Sequence, residues 1–147
     1  MYETVLIPTD GSEGVGDAIE EGVELAALTG ATVHALYVVD SRDYGTVPDA
    51  AWFGLQEALK DEGEAAVEAV AARAAESGVD VVTTIEQGVP HDVIVDYADA
   101  EGIDCIAMGT HGRSGVDRLL LGSVTENVVR HTGVPVHVVR VGDDSTA

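Results

Sequence analysis

Residues 103–123 run IDCIAMGTHGRSGVDRLLLGS, and the interpretation of this stretch decides the fold. Ile103-Asp104-Cys105-Ile106-Ala107-Met108 is a mostly apolar run with the length of a buried strand. Gly109 and Gly112 open a loop, nine residues follow, and Gly122-Ser123 leads into a segment, 123–131, with helical spacing. The order is therefore strand, glycine-rich loop, helix start. Glycines let backbone approach a ligand closely, and the free N–H groups of a helix start attract anions. The spacing points to a phosphate-bearing ligand.

Apolar runs and helical stripes alternate through the rest of the chain. Thr4-Val5-Leu6-Ile7 forms a short strand closed by Pro8. Residues 12–29 place Val15, Ala18, Ile19, Gly22, Val23, Ala26 and Ala27 at helical spacing, with Ser12 as cap and Gly30 as stop. Thr32 to Val39 is a second strand, and residues 56–76 form a long alanine-rich amphipathic helix ended by Gly78. Val79 to Ile85 makes a third strand. Pro90 starts a helix that carries Val93, Ile94, Tyr97 and Ala98. Residues 103–108 supply the fourth strand, 123–131 the last helix, and Val134 to Val141 the last strand.

Strands separated by helices imply βαβ crossovers, hence a mainly parallel sheet covered on both faces. The expectation is a single α/β domain over residues 1–147, an open five-stranded parallel sheet, with a polar frayed tail at 142–147. Ligands of such sheets sit beyond the carboxyl ends of the strands, where the strand order reverses. Residues 8–12, 40–55 and 109–122 converge there. The 40–55 stretch, with Tyr44, Trp52 and Phe53, is the least regular, and serves either as a lid or as a surface connection.

Charge narrows the partners. The chain has 27 acidic residues against 7 Lys plus Arg, a formal net of −20. Residues 1–108 carry all of it, with 23 acids and only Arg42, Lys60 and Arg73. In residues 109–147, Asp117, Glu126, Asp143 and Asp144 balance Arg113, Arg118, Arg130 and Arg140. A polyanion is repelled by most of this surface and tolerated near the last quarter. Nucleic acid and anionic membranes are excluded as partners, because no basic stripe runs along the chain. An acid-rich, lysine-poor composition is expected of a protein adapted to concentrated salt, where counter-ions screen self-repulsion, with an acidic mesophilic protein as the alternative. No apolar run approaches the roughly 18 residues of a membrane span. Met1-Tyr2-Glu3-Thr4 leads straight into the first strand without a signal peptide, so a cytoplasmic location is expected. Cys105, the single cysteine, is expected to be a small buried hydrophobe.

Other motifs are weaker. Gly11-Ser12-Glu13-Gly14-Val15-Gly16 reverses the dinucleotide fingerprint, and Asp10, Glu13 and Asp17 oppose a pyrophosphate there. A Walker loop is absent, since the only lysine is Lys60 in the long helix. Phosphates must then be held by backbone N–H groups, hydroxyls and a metal. His111 lies close in sequence to Ser114, Ser123 and Thr125, but no strained Gly-x-Ser-x-Gly elbow marks a nucleophile. His34, His91, His131 and His137 are assigned structural roles, and no spacing of His, Cys or carboxylates marks a transition-metal site.

Val5-Leu6-Ile7-Pro8-Thr9-Asp10-Gly11-Ser12, Ala35-Leu36-Tyr37-Val38-Val39-Asp40, Gly88-Val89-Pro90, and the Met108–Gly115 and Leu121–Glu126 stretches together resemble the universal stress protein family. The resemblance covers essentially the whole chain. The Gly-x2-Gly-x9-Gly-Ser spacing is similar to the signature of the family's ATP-binding branch. It implies an adenine nucleotide alpha hydrolase-like, Rossmann-like fold. It also implies ATP as ligand, with Mg²⁺ or Mn²⁺ bound through the phosphates and water. Residue by residue, the resemblance puts Asp10 near the ribose or adenine, with Pro8 and Thr9 shaping that wall. For Asp10 a turn cap is an equal alternative. Val38 would offer backbone groups to the adenine edge, and Met108 with Gly109 would line base and sugar. His111, Gly112 and Arg113 would pass close to the phosphates. Gly122, Ser123, Val124 and Thr125 would hold the phosphate chain at the helix start.

Family members are similar in pairing through the last strand, which implies a homodimer through residues 135–141. The leading reading is an ATP-binding switch in stress response that acts on a protein partner the sequence does not name. A slow ATPase with His111 or Asp10 as base is the second, and a scaffold with a vestigial pocket is the third.

Overall fold

The structure is a computed structural model that describes residues 2–12, 15–40, 48–110 and 122–140. The chain runs β1 (Thr4–Thr9), α1 (Val15–Thr29), β2 (Thr32–Asp40), α2 (Asp49–Glu76), β3 (Val81–Gly88), α3 (Pro90–Ala100), β4 (Cys105–Gly109), α4 (Ser123–His131) and β5 (Val136–Val139). All five strands are parallel, in the order β3-β2-β1-β4-β5. From β1 the chain steps outward to β2 and β3, then returns to build β4 and β5 on the other side. Right-handed crossovers therefore put α1 and α2 on one face, α3 and α4 on the other.

The two cores show this alternation residue by residue. Val5, Ile7, Val33, Ala35 and Ala107 are buried with Ile19, Val23, Val67 and Val70 of α1 and α2. Leu6, Leu36, Ile106 and Met108 are buried with Ile94, Ala98 and Val128 of α3 and α4. Leu6, Ile7, Leu36 and Ile106 are fully buried, each contributing about 1.5–3 kcal/mol of transfer free energy. Cys105 is buried and free, as expected of a small hydrophobe. No helix among the described residues is long and apolar enough to cross a membrane.

Several boundaries differ from the sequence reading. Pro8 does not close β1, which continues to Thr9. The carbonyl of Glu3 accepts from Thr32 of β2, and that of Thr4 accepts from Asp104 before β4. Alternation then turns the backbone of Pro8 toward β4. Pairing of β1 with β4 covers only Val5↔Cys105 and Leu6↔Ile106, whereas pairing with β2 runs to Thr9↔Tyr37. Pro8 has no N–H for that neighbour, so the β1–β4 ladder stops short of it and the two strand ends part.

The helix expected at 56–76 begins at Asp49, so residues 49–55, Trp52 and Phe53 included, are helical rather than irregular. The buried stripe of α2 is confined to Leu59, Gly63, Ala66, Val67, Val70 and Ala74. None of residues 50–58 is buried, and Phe53 is 75% exposed. That is why apolar spacing missed them. Tyr44 lies outside the described residues.

Val79 belongs to the end of α2, not to β3. Its N–H reaches Ala74 O at 2.9 Å while Gly78, at φ +69°, bonds Ala75 O. That pair of bonds is a Schellman ending, with glycine taking the left-handed position. β3 extends on to Gly88, and β5 is shorter than 134–141, with Val141 and the 142–147 tail outside the described residues.

Candidate functional site

The strand order reverses between β1 and β4, and their carboxyl ends are unpaired there. This is the rim at which open parallel sheets take ligands. The first wall is the turn after β1. Thr9 is buried, and its Oγ1 accepts from the N–H of Gly11 at 3.2 Å. Asp10 Oδ1 accepts from the N–H of Ser12 at 2.9 Å. Asp10 thus folds its own turn, the bland alternative weighed for it, through one carboxylate oxygen.

Ser12 was expected to cap α1 with its hydroxyl. Instead its carbonyl accepts from Val15 N–H at 3.3 Å. Its Oγ is buried and has no hydrogen-bond partner among the described residues. A buried hydroxyl without a partner costs about 1–3 kcal/mol. The orphan sits at the strand-end crevice, where a polar ligand atom could satisfy it. The sequence places Ser12 in the 8–12 loop at the rim and assigns its hydroxyl no ligand contact. Only the burial of its oxygen marks it.

Val38 lies at the end of β2, half-buried and opposite Glu86 of β3. Thr32 bonds toward β1 and Val33 toward the β3 side, so alternation turns the backbone of Val38 toward β1. The ladder between these strands ends one residue earlier, at Thr9↔Tyr37. Met108 is buried in the core beneath α3 and α4, so its side chain packs the floor of the rim. Gly109 ends β4 and is half-buried.

The second wall is the start of α4. Gly122 is the N-cap, extended at φ −64° and ψ 157°, with no side chain capping the helix among the described residues. The first intrahelical bond runs from Glu126 N–H to Gly122 O at 2.9 Å. Among the described residues, the N–H groups of Ser123, Val124 and Thr125 have no protein acceptor, and together with the helix dipole they favour an anion. Ser123 is exposed, and Val124 leans on the core. Thr125 is buried, and its hydroxyl donates to Gly109 O at 2.8 Å. Its one hydrogen is thereby committed, so Thr125 has its backbone N–H rather than its hydroxyl to give a phosphate. Farther along, Arg130 pairs with Glu126 at 2.9 Å, leaving the first turn's carboxylate neutralised. His111, Gly112 and Arg113 lie outside the described residues.

The other histidines take the structural roles expected of them. His34 Nδ1 and Tyr97 Oη are 2.8 Å apart, and His137 faces Glu21 at 3.4 Å. His91 and His131 stack with ring centroids 6.2 Å apart. Burial holds His34 below the ordinary imidazole range, against a weaker upward pull from Glu101.

Comparison with known proteins agrees with this architecture. The profile of the universal stress protein family matches residues 1–140. Universal stress protein MJ0531 of Methanocaldococcus jannaschii is 39% identical over 141 residues, covering 95% of this chain and 83% of that protein. The solved structure of MJ0577 from the same organism superposes with a TM-score of 0.88 at 35% identity, covering 98% of this chain and 99% of the other. A universal stress protein solved in complex with cAMP matches with a TM-score of 0.71 at 26% identity, over 96% of this chain and 98% of that one.

Proposed function

This chain belongs to the universal stress protein family, and from that premise we propose that it binds ATP at the β1–β4 rim and acts as a nucleotide-dependent switch in stress response. One observation carries the reading. The uncapped N-terminus of α4, with Ser123, Val124 and Thr125 presenting N–H groups, directly follows the Gly-x2-Gly-x9-Gly-Ser motif beside the parted strand ends. Asp10, the Val38 backbone and the orphaned Ser12 hydroxyl supply polar groups for ribose and base. Pro8 and Thr9 form the wall beneath them, with Met108 and Gly109 as floor. His111, Gly112 and Arg113 complete the phosphate side. Mg²⁺ or Mn²⁺ is carried by the phosphates and water, since hard cations prefer those oxygens. The cAMP complex of a relative makes an adenine nucleotide the natural ligand class.

The protein works as a homodimer through residues 135–141 in the cytoplasm, and nucleotide occupancy governs its contact with a protein partner. An edge strand with apolar residues favours pairing. Val138 of β5 is 37% exposed.

Thermal melting of nucleotide-free protein with and without MgATP tests the binding claim. Saturation near a hundredfold over Kd adds about 2.7 kcal/mol of stability. No shift with any adenine nucleotide contradicts it.

A further inference from the structure

The start of α4 hangs from the end of β4 by two bonds, and a third ties that end to β5. Thr110 N–H donates to Val139 O at 2.9 Å, extending the β4–β5 ladder by one residue. Gly122 N–H, at the cap of α4, donates to Thr110 O. Thr125 Oγ1, one turn into the helix, donates to Gly109 O at 2.8 Å. Among the described residues, that last bond is the one side-chain hydrogen bond from α4 to the sheet. The remaining side-chain bonds of α4 among these residues stay within the helix, from Asn127 to Ser123 O, between Arg130 and Glu126, and between His131 Nδ1 and Asn127 O.

We propose that Thr125 is a positioning residue. Its hydroxyl clasps α4 to β4 and fixes where the N–H groups of Ser123 and Val124 point, without itself contacting a ligand. This rests on the nucleotide reading above. The argument is one of hydrogen inventory. A phosphate oxygen needs a donor, a threonine hydroxyl has one hydrogen, and Thr125 spends it on Gly109 O in a buried setting. Ser123 is different. It is exposed, and no hydrogen bond of its hydroxyl is found among the described residues. The two hydroxyls therefore act on the same phosphates by different routes, that of Ser123 by contact and that of Thr125 by geometry. Small displacements of preorganised donors cost binding, because each N–H must meet its oxygen at a defined distance and angle.

The test compares Thr125→Val, Thr125→Ser and Ser123→Ala with the wild type. Its readouts are MgATP and adenosine titrations by calorimetry, melting curves and amide hydrogen exchange. Valine keeps the shape and deletes the hydrogen, whereas serine restores it. Thr125→Val is expected to weaken MgATP at least tenfold while adenosine stays within about twofold, with Thr125→Ser near wild type. Its Gly122 amide should exchange at least tenfold faster. Ser123→Ala should also weaken MgATP but leave Gly122 exchange unchanged.

Equal losses for MgATP and adenosine in Thr125→Val, or wild-type MgATP binding, overturn the proposal. If the wild type binds no adenine nucleotide, the functional reading itself falls. The clasp is then judged on ligand-free exchange: unchanged Gly122 protection in Thr125→Val overturns it, and faster exchange upholds it. A Thr125→Val chain too unstable to titrate is judged through Thr125→Ser and the same exchange readout at low temperature.

Discussion

His34 of β2 and Tyr97 of α3 share a part-buried hydrogen bond of 2.8 Å between Nδ1 and Oη, on the side of the sheet covered by α3. Thr84 Oγ1 of β3 stands 3.2 Å from the same Tyr97 oxygen. Neutral imidazole can accept the phenol hydrogen at Nδ1, and Thr84 can donate in turn, so one chain of bonds satisfies all three groups. It ties α3 to two adjacent strands. Burial raises the Tyr97 phenol above its ordinary range, so it stays protonated. Tyr97→Phe strands both partners and should cost about 1–3 kcal/mol, read from urea unfolding midpoints at neutral pH. An unchanged midpoint would show that the network contributes nothing net.

Acid should weaken the fold in two separate windows. His34 is held below its ordinary 6.5 by burial. The unfolded chain therefore binds the proton more readily, and stability is lost as pH falls below about 6.5. One proton limits the slope to about 1.4 kcal/mol per pH unit. Asp104 is held below its ordinary 3.8 chiefly by the backbone N–H of Glu3, at 2.8 Å from Oδ2, with Thr4 adding to it. Its contribution is present above that value and lost as pH falls further. His34→Gln should flatten the upper window only, and Asp104→Asn the lower only. Unfolding curves across a pH series check both, and a profile unmoved by either change contradicts the assignment.

Two glycines of α1 should respond oppositely to alanine. A Cβ on Gly22 would lie 2.6 Å from Ile7 Cδ1 and 3.2 Å from Ala107 Cβ, against β1 and β4. Gly16 has nothing within 4 Å. Gly16→Ala should stabilise by about 0.5–1 kcal/mol through helix propensity. Gly22→Ala should lose that gain to overpacking of about 1–3 kcal/mol, and Gly22→Val should lose more. Equal melting shifts for the two alanines would mean α1 can lift from the sheet at little cost.

How far the sequence could be read depends on which physical signal each feature carries. Alternating apolar runs and helical stripes made a parallel sheet covered on both faces legible, because Val5, Leu6 and Ile7 must bury on opposite faces, whereas the order β3-β2-β1-β4-β5 came from the structure. Pro90 announced α3, and Gly78 the end of α2. The first turns of α2 were not legible, since none of residues 50–58 is fully buried and no apolar stripe marks them. Pro8 misled, because a proline stops a strand only where its N–H is needed, and that depended on where the β1–β4 ladder ends. At the site, the glycine spacing located the start of α4. The hydroxyls of Ser12 and Thr125 look alike in sequence. Only the fold shows that one is orphaned and the other committed to Gly109.

Salt should act on fold and assembly together. Residues 1–108 hold 23 acids against 3 bases, and pairing through β5 would bring two such subunits together. Screening shortens that repulsion from about 10 Å at 0.1 M to about 3 Å at 1 M. Molar KCl should therefore raise the melting temperature and favour the dimer in light scattering. A chain that remains a folded monomer from dilute buffer to molar salt would contradict both the dimer and the halophilic reading.

The most direct measurement is calorimetric titration of nucleotide-free protein with MgATP, MgADP, AMP and adenosine in parallel. Phosphates held by the N–H groups of Ser123, Val124 and Thr125 predict one site per chain and affinity that falls stepwise from MgATP to adenosine. Hydrogen bonds to charged groups are worth about 1.5–3 kcal/mol each, so MgATP should exceed adenosine by at least tenfold. Absence of binding, or equal affinity for MgATP and adenosine, would contradict the account.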